Sequence, residues 1–291
     1  MPLLSSCEKV VFEDEEDEER TEEEEGEGTH EEDNLIICVS QIMEVPFRVQ
    51  DGLELSDFCT QLNVAIYNDE KRLKTITQQM GDADFGRVGL RLEPGHYRVA
   101  VVAHSSSDNP SMTTPESIHF TNAMGFTDTF YYYDEVDVAD TVITLNASLE
   151  RAVSMLRIIT TDEKPAEVSS MRVYYTGGSG ELDVTTGYGT KASRQYFTIE
   201  LPDSLTGKTL QIEAYTFLHA EEGQLNIQLT AYNKDYDVLF ERQLDNVAMR
   251  RNHITQYRGR LFTDEPEMPA NGQLITITGD GQWGGVTEFT F

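Results

Sequence analysis

At 291 residues the chain can bury one large core or two ordinary ones, and a hydrophobic content of 38% supports a packed interior. The formal net charge of -30 offers no basic stripe for phosphate, which excludes nucleic acid and anionic lipid as electrostatic partners. No apolar run reaches the roughly twenty residues of a membrane-spanning helix. The three cysteines, Cys7, Cys38 and Cys59, have no C-x-x-C spacing for zinc and are too few for a disulfide framework.

The first segment, MPLLSSCEKVVF, places Cys7 behind Leu4-Ser5-Ser6, and a wall of acid follows. Between Glu13 and Asp33 fifteen acidic residues face one base, Arg20, so nearly half of the net charge sits there. Like charges without apolar periodicity cannot form a core, and the segment reads as a disordered acidic tether.

From Leu35 onward the signal is strands. NLIICVSQI is a continuous apolar run too short for a helix. In QLNVAIYN, Leu62, Val64 and Ile66 alternate with Asn63, Ala65 and Tyr67. GRVGLRLE alternates Val88, Leu90 and Leu92, and PGHYRVAVVAHS puts Tyr97, Val99, Val101 and Ala103 on one face. Period two over such lengths predicts half-buried strands, with Pro94-Gly95 as a turn. DTFYYYDEV continues the pattern, as does TVITLNASL with Ile143, Leu145, Ala147 and Leu149 on one face.

A second block of strands follows: MLRIITT, MRVYYTGG, QYFTIELP, TLQIEAYTF, GQLNIQLTAY, DVLFERQL and HITQYRGRLF, divided by Gly-, Asp-, Asn- and Ser-rich loops. Many short strands with regular turn signals predict an all-β protein of two tandem antiparallel sandwiches. The expected organisation is a tether over 1–34, a first sandwich over 35–149 and a second over 150–291. LEPGHYRVAVVAHSSSD and LTGKTLQIEAYTFLHAEEG read as a weak internal repeat of turn, strand and His-bearing loop. After a proline-punctuated linker, QLITITGDGQWGGVTEFTF ends the chain on a strand. Such an end pairs with a sheet edge, its own or a neighbour's.

No constellation of residues carries catalysis, and no cofactor or metal is expected. Gly279-Asp-Gly281-Gln-Trp-Gly284 fits G-x-G-x-x-G, but the dinucleotide fingerprint needs a helix behind it, and here a strand follows. YTGGSGELD lacks the Lys-Ser/Thr of a P-loop. His96 and His104 lie too far apart along one strand to share a metal, and both read as surface or edge histidines. Asn233-Lys-Asp235-Tyr-Asp237 alternates oxygens without the glycine and distal Glu of a calcium loop, and reads as a hairpin turn. Cys38 and Cys59 stand either as a disulfide or as two buried thiols. Tyr131 to Tyr133 and Trp283 are either core residues or exposed rings that stack on sugars.

Three segments carry a resemblance. RAVSMLRIITTDEKPAEVSSMRVYYTGGSGELDVTTGYG resembles the core segment of the FimB-type fimbrial subunits of Bacteroidales, relatives of the fimbrillins. LEPGHYRVAVVAHSS is similar to the strand before that family's first-domain loop, and RRNHITQYRGRLF to its closing strand. The matches span roughly 35–262. The resemblance implies two transthyretin-like β-sandwiches in a non-enzymatic type V pilus lipoprotein of the outer-membrane surface, whose partners are other fimbrial subunits joined by strand exchange. It also implies that Leu4-Ser5-Ser6-Cys7 is a lipobox, with Cys7 acylated and held in outer-membrane lipid. Only Met1 to Leu4 precede it, too few for a secretory signal, so an upstream start is expected if the chain is exported. In polymerising relatives an arginine-specific protease removes the first strand, and anchors keep theirs. The candidate cleavage sites here are Arg20 and Arg48. An anchor or accessory subunit is the preferred reading, with a surface module for glycan or host protein as the alternative. Leu274, Ile275, Ile277, Val286, Phe289 and Phe291 are the apolar positions of the terminal segment, which is either a donor strand or a closing hairpin of the chain's own second sandwich.

Overall fold

The computed structural model describes residues 33–42, 55–69, 71–263, 275–277 and 283–290. Among them every long element is a strand, and the only helical pieces are single 3-10 turns at Leu55–Asp57 and Asp203–Leu205. The protein is all-β, as the period-two pattern predicts.

The first half contains β1 (Leu35–Ile42), β2 (Gln61–Tyr67), β3 (Arg72–Gln79), β4 (Arg87–Leu90), β5 (Gly95–His104), β6 (Ser111–Thr114), β7 (Ser117–His119), β8 (Phe130–Val138) and β9 (Ile143–Arg151). One layer runs β3-β2-β5-β8, all antiparallel. The other runs β4-β1-β9, with β4 antiparallel to β1 and β1 parallel to β9. The layers join where the end of β9 pairs with the start of β8, at Phe130 opposite Arg151. Leu62, Val64 and Ile66 of β2 and Val99 and Val101 of β5 share a core with Leu35 and Ile37 of β1 and Ala147 and Leu149 of β9. Each fully buried aliphatic side chain of this kind contributes about 1.5–3 kcal/mol.

The second half contains β10 (Val153–Thr160), β11 (Ser170–Gly178), β12 (Glu181–Asp183), β13 (Tyr188–Gly189), β14 (Ser193–Glu200), β15 (Gln211–Phe217), β16 (Glu222–Tyr232), β17 (Val238–Arg250), β18 (Ile254–Gly259), β19 (Ile275–Ile277) and β20 (Val286–Thr290). Its first layer is β14-β11-β16-β17 and its second is β15-β10-β18-β20-β19. The core between them includes Leu156, Ile158, Val173, Tyr175, Ile227 and Leu229.

The two halves repeat one plan. β14-β11-β16-β17 has the connectivity of β3-β2-β5-β8, and β15-β10-β18 has that of β4-β1-β9, including the parallel first-to-last pairing of β10 with β18. The repeat is real, but the sequence echo misaligns it by one strand. It pairs β5 with β15, whereas β5 corresponds to β16 and β15 to β4. Turn-strand-turn composition recurs at nearly every strand and fixes no register.

Two insertions interrupt the plan at different places and meet. β6 and β7 lie between β5 and β8, while β12 and β13 lie between β11 and β14. β7 pairs with β12, Ile118 opposite Leu182, in a four-stranded sheet that ties the halves together. Both side chains are buried completely. Beside them a third core gathers Ala65, Tyr67, Ala100, Val102, Phe126, Val153, Phe217 and Trp283.

This third core corrects the expectation of half-buried strands for β2 and β5. Their second faces carry Ala65, Tyr67, Ala100 and Val102, each exposed by 1% or less. Ala65 and Ala100 are directly opposite in the ladder, a flat small-residue pair that admits close packing. From Asp33 onward the chain forms one compact unit.

Candidate functional site

The feature that sets the second half apart is β20. It lies parallel to β18, with Ile254 opposite Val286 and Arg258 opposite Thr290, on the side of β18 away from β10. β19 pairs antiparallel on its far side, Ile277 opposite Val286. The repeated plan is already complete at β18; in the first half the matching side of β9 is met only at its end, by the start of β8, and carries no added parallel strand among the described residues.

The approach to β20 is locked at the junction of the two halves. Arg151, the last residue of β9, is 1% exposed. Its Nε and Nη2 donate to the two carboxylate oxygens of Asp128, each at 2.8 Å, and its Nη1 donates to Asn252 Oδ1 at 2.8 Å. The bidentate fork satisfies charge and geometry together. The guanidinium plane lies 4.9 Å from the Phe130 ring centre and 4.0 Å from that of Trp283. Asn252 sits at φ 54°, a left-handed conformation that asparagine tolerates. Its carbonyl accepts the Gly284 N–H at 2.8 Å, and the Ile254 N–H is donated to the Gly285 carbonyl at 3.0 Å. Gly285 packs on the His253 ring so closely that a Cβ there would collide with it. The Trp-Gly-Gly run is therefore an anchor followed by a close backbone approach, and not a phosphate loop.

Along the strand, Glu288 accepts from Gln256 Nε2 at 2.8 Å and from Arg258 Nε at 3.1 Å. Phe289 stacks on Tyr257 with ring centres 5.0 Å apart. Val286 is buried against the third core. Thus Val286 and Phe289, two of the terminal apolar positions, are held by the chain's own β18. Ile275 and Ile277 are placed as β19. Leu274 and Phe291 lie outside the described residues, as do Cys7, Arg20 and Arg48.

The remaining candidates are scattered. Cys38 and Cys59 are separate buried thiols and do not form a pair. Arg87 Nη1 donates to Cys38 Sγ at 3.3 Å, whereas the Cys59 thiol donates to the Leu55 carbonyl at 3.5 Å. Burial, helped by the Asp128 charge, pushes the Cys59 thiol up to about 12. His96 and His104 lie at opposite ends of β5, roughly 26 Å apart along the strand. His96 is exposed and hydrogen-bonds Asp137 at 2.8 Å, which raises its pKa. The surface reading fails for His104, which is completely buried beside Phe120, with a pKa lowered by burial to about 4. Trp283 and Tyr131 are buried to 7% and 8% exposure, which leaves neither a free ring face for a sugar. Among the described residues no group of His, Cys, Asp and Glu gathers as a metal site.

The sequence reading missed Arg151, Asp128 and Asn252. One signal was available: Arg151 interrupts the apolar series Leu149, Ala152, Val153, and a charge embedded in a core strand requires a buried partner. Which carboxylate would supply it depends on tertiary structure alone.

Several solved structures align with the chain over most of its length. A proposed adhesin from Bacteroides ovatus aligns at 14% identity, covering 73% of this chain and 89% of that one, with a TM-score of 0.47. A proposed polysaccharide-binding protein from Bacteroides thetaiotaomicron aligns at 12% identity, 73% and 79% coverage and a TM-score of 0.46. The fimbrial anchor protein Mfa2 from Porphyromonas gingivalis aligns at 13% identity, 73% and 82% coverage and a TM-score of 0.43. No curated protein matches the sequence. A family model does, across residues 40–280, from the end of β1 through β19. The chain belongs to the DUF6562 family, a family of unknown function.

Proposed function

We propose that this protein is a non-enzymatic subunit of a cell-surface fimbrium, an anchor or accessory subunit rather than the polymerising pilin, tethered by an acylated Cys7. The observation that carries the reading is the chain-terminal strand β20, added in parallel to a strand plan already complete without it. A sheet that accepts a strand from outside its own repeat has the geometry strand exchange between subunits requires. The resemblance of residues 151–189, 92–106 and 250–262 to FimB-type subunits supports the same assignment. It also supports the division into transthyretin-like sandwiches over 35–149 and 150–291.

In this reading the acidic tether is repelled by an anionic lipid surface and projects the folded part outward. Acyl chains on Cys7 hold the protein in the outer membrane, where more than one chain is needed for stable anchoring. With its first strand kept, β1 fills the place between β4 and β9, and the subunit presents a closed first half to its neighbours.

Intact mass and N-terminal mapping of protein extracted from its native envelope test the proposal. A mature chain beginning at acylated Cys7 is expected. A chain beginning at Val49 would make it a polymerising pilin, and one beginning at an unmodified Met1 would overturn surface anchoring.

A further inference from the structure

A second feature lies on the second half, where β11, β14 and the β16–β17 hairpin meet, and it owes nothing to strand pairing. A cleft of about 400 Å³ opens there between Ser169, Glu200 and Asp203 on one side and Asn233, Lys234 and Tyr236 on the other. The hairpin turn that forms one wall is fixed by its first residue. Asn233 Oδ1 accepts the N–H groups of Asp235 at 2.9 Å and Asp237 at 2.8 Å, while its Nδ2 donates to Asp237 Oδ2 at 3.0 Å. The Asn233 N–H closes the turn on the Asp237 carbonyl at 3.1 Å.

This turn holds Tyr236 at φ 63°. Folding physics favours glycine or asparagine at such a position, because a bulky side chain there is sterically strained. The tyrosine is also 80% exposed, so its ring gains little from burial in return. It is strained, outward-facing and at the mouth of a cleft, and none of this stabilises the fold. Strain of this kind concentrates where a side chain must be presented to something else.

The chemistry of the cleft says what that is. Asp203 and Lys234 pair across it at 3.1 Å, about 70% exposed each, so both keep capacity for further hydrogen bonds. Glu200 is exposed at its edge. One aromatic plate beside carboxylate, ammonium and amide groups matches a pyranose ring, which offers a C–H face for stacking and hydroxyls for polar contacts. Charge narrows the class. Glu200 and Asp203 line the cleft with Lys234, and Asp235 and Asp237 lie in the same turn, on a chain of net charge -30, which disfavours uronic, sialic or phosphorylated sugars. We propose that this cleft is a binding site for a neutral glycan, with Tyr236 as its stacking platform.

The test uses the full chain and glucose-, galactose-, mannose- and N-acetylglucosamine-containing oligosaccharides at millimolar concentration, with sialylated and uronic-acid oligosaccharides alongside. At least one neutral glycan is expected to bind. Tyr236→Gly relieves the backbone strain, so it is expected to fold with an unchanged or higher Tm while binding weakens about tenfold, the scale of a lost aromatic contact. Tyr236→Phe is expected to bind as the parent does. Absence of binding to every neutral glycan, binding to acidic glycans alone, or undiminished binding by Tyr236→Gly would each overturn the proposal.

Discussion

The guanidinium of Arg151 lies 4.0 Å from the centre of the Trp283 ring, and this contact joins the last strand of the first half to the segment that delivers β20. Trp283→Ala removes a large buried side chain and the aromatic face from a desolvated cation. It is expected to cost about 3–5 kcal/mol in denaturant unfolding, with Trp283→Phe costing less. Arg151→Ala leaves the Asp128 carboxylate without its bidentate partner and is expected to cost about 3–5 kcal/mol. Adding Asp128→Ala to that variant should recover part of the loss, because the two side chains act as one unit.

Truncation after Gly272 tests whether the terminal strands belong to the chain's own fold. Removing them uncovers the edge of β18, unstacks Tyr257 and leaves Arg151 without Trp283. A monomer of lowered Tm is expected by thermal unfolding and size-exclusion chromatography. A peptide of residues 273–291 added in trans should raise the Tm in proportion to its concentration. A truncated monomer as stable as the parent that no longer associates with other subunits would assign the segment to a neighbour's sheet instead.

The strands were legible because alternation is a local signal. Tyr97, Val99, Val101 and Ala103 fall on one buried face as read. What alternation could not disclose was the opposite face of the same strands. Ala65 and Ala100 are small and uncharged, and they read equally well as solvent-facing filler or as a packing surface. Only the approach of the second half decides between these. The site was less legible still. Trp283 read equally as a core residue or as an exposed ring because Arg151, whose guanidinium lies on it, is more than a hundred residues away in the sequence. His104 looked exposed because nothing local reveals that Phe120 covers it.

The cysteines yield a chemical prediction. Burial holds the Cys59 thiol near 12, so almost none of it is thiolate at pH 8, and thiolate is the reactive form. In the folded protein Cys59 is expected to resist alkylation by iodoacetamide. After denaturation without reductant, Cys38 and Cys59 should each take one label by mass spectrometry. If labelling of these two required prior reduction, the native pair would be a disulfide.

His104 gives the fold a pH dependence of definite sign. Its Nδ1 accepts the Ser106 N–H at 3.1 Å, so in the neutral ring Nε2 carries the proton and faces Asn63 at 2.9 Å. The 2.9 Å neighbour of Nε2 is Asn63 Nδ2, and Thr77 Oγ1 donates to Asn63 Oδ1 at 2.9 Å, so accepting the Nε2 proton requires the amide to turn over, its oxygen to the ring and its nitrogen to Thr77. Protonating Nδ1 would break the Ser106 bond and place a charge in a fully buried site. The folded pKa of about 4 therefore lies below the unfolded value near 6.5. Between these values the unfolded state binds more protons, so this histidine's contribution is complete above pH 6.5 and is lost as the pH falls towards 4. The loss is at most about 3 kcal/mol. His96 works in the opposite sense. Its pKa is raised by Asp137, so its small contribution is present at low pH and fades as the pH rises through its folded value. NMR titration of the six histidines should show one ring that does not protonate until near pH 4. In His104→Gln, the drop in unfolding free energy between pH 6.5 and 4 should shrink, even though the variant is less stable at neutral pH. A parent and variant with identical pH slopes would show that His104 titrates as an ordinary surface histidine.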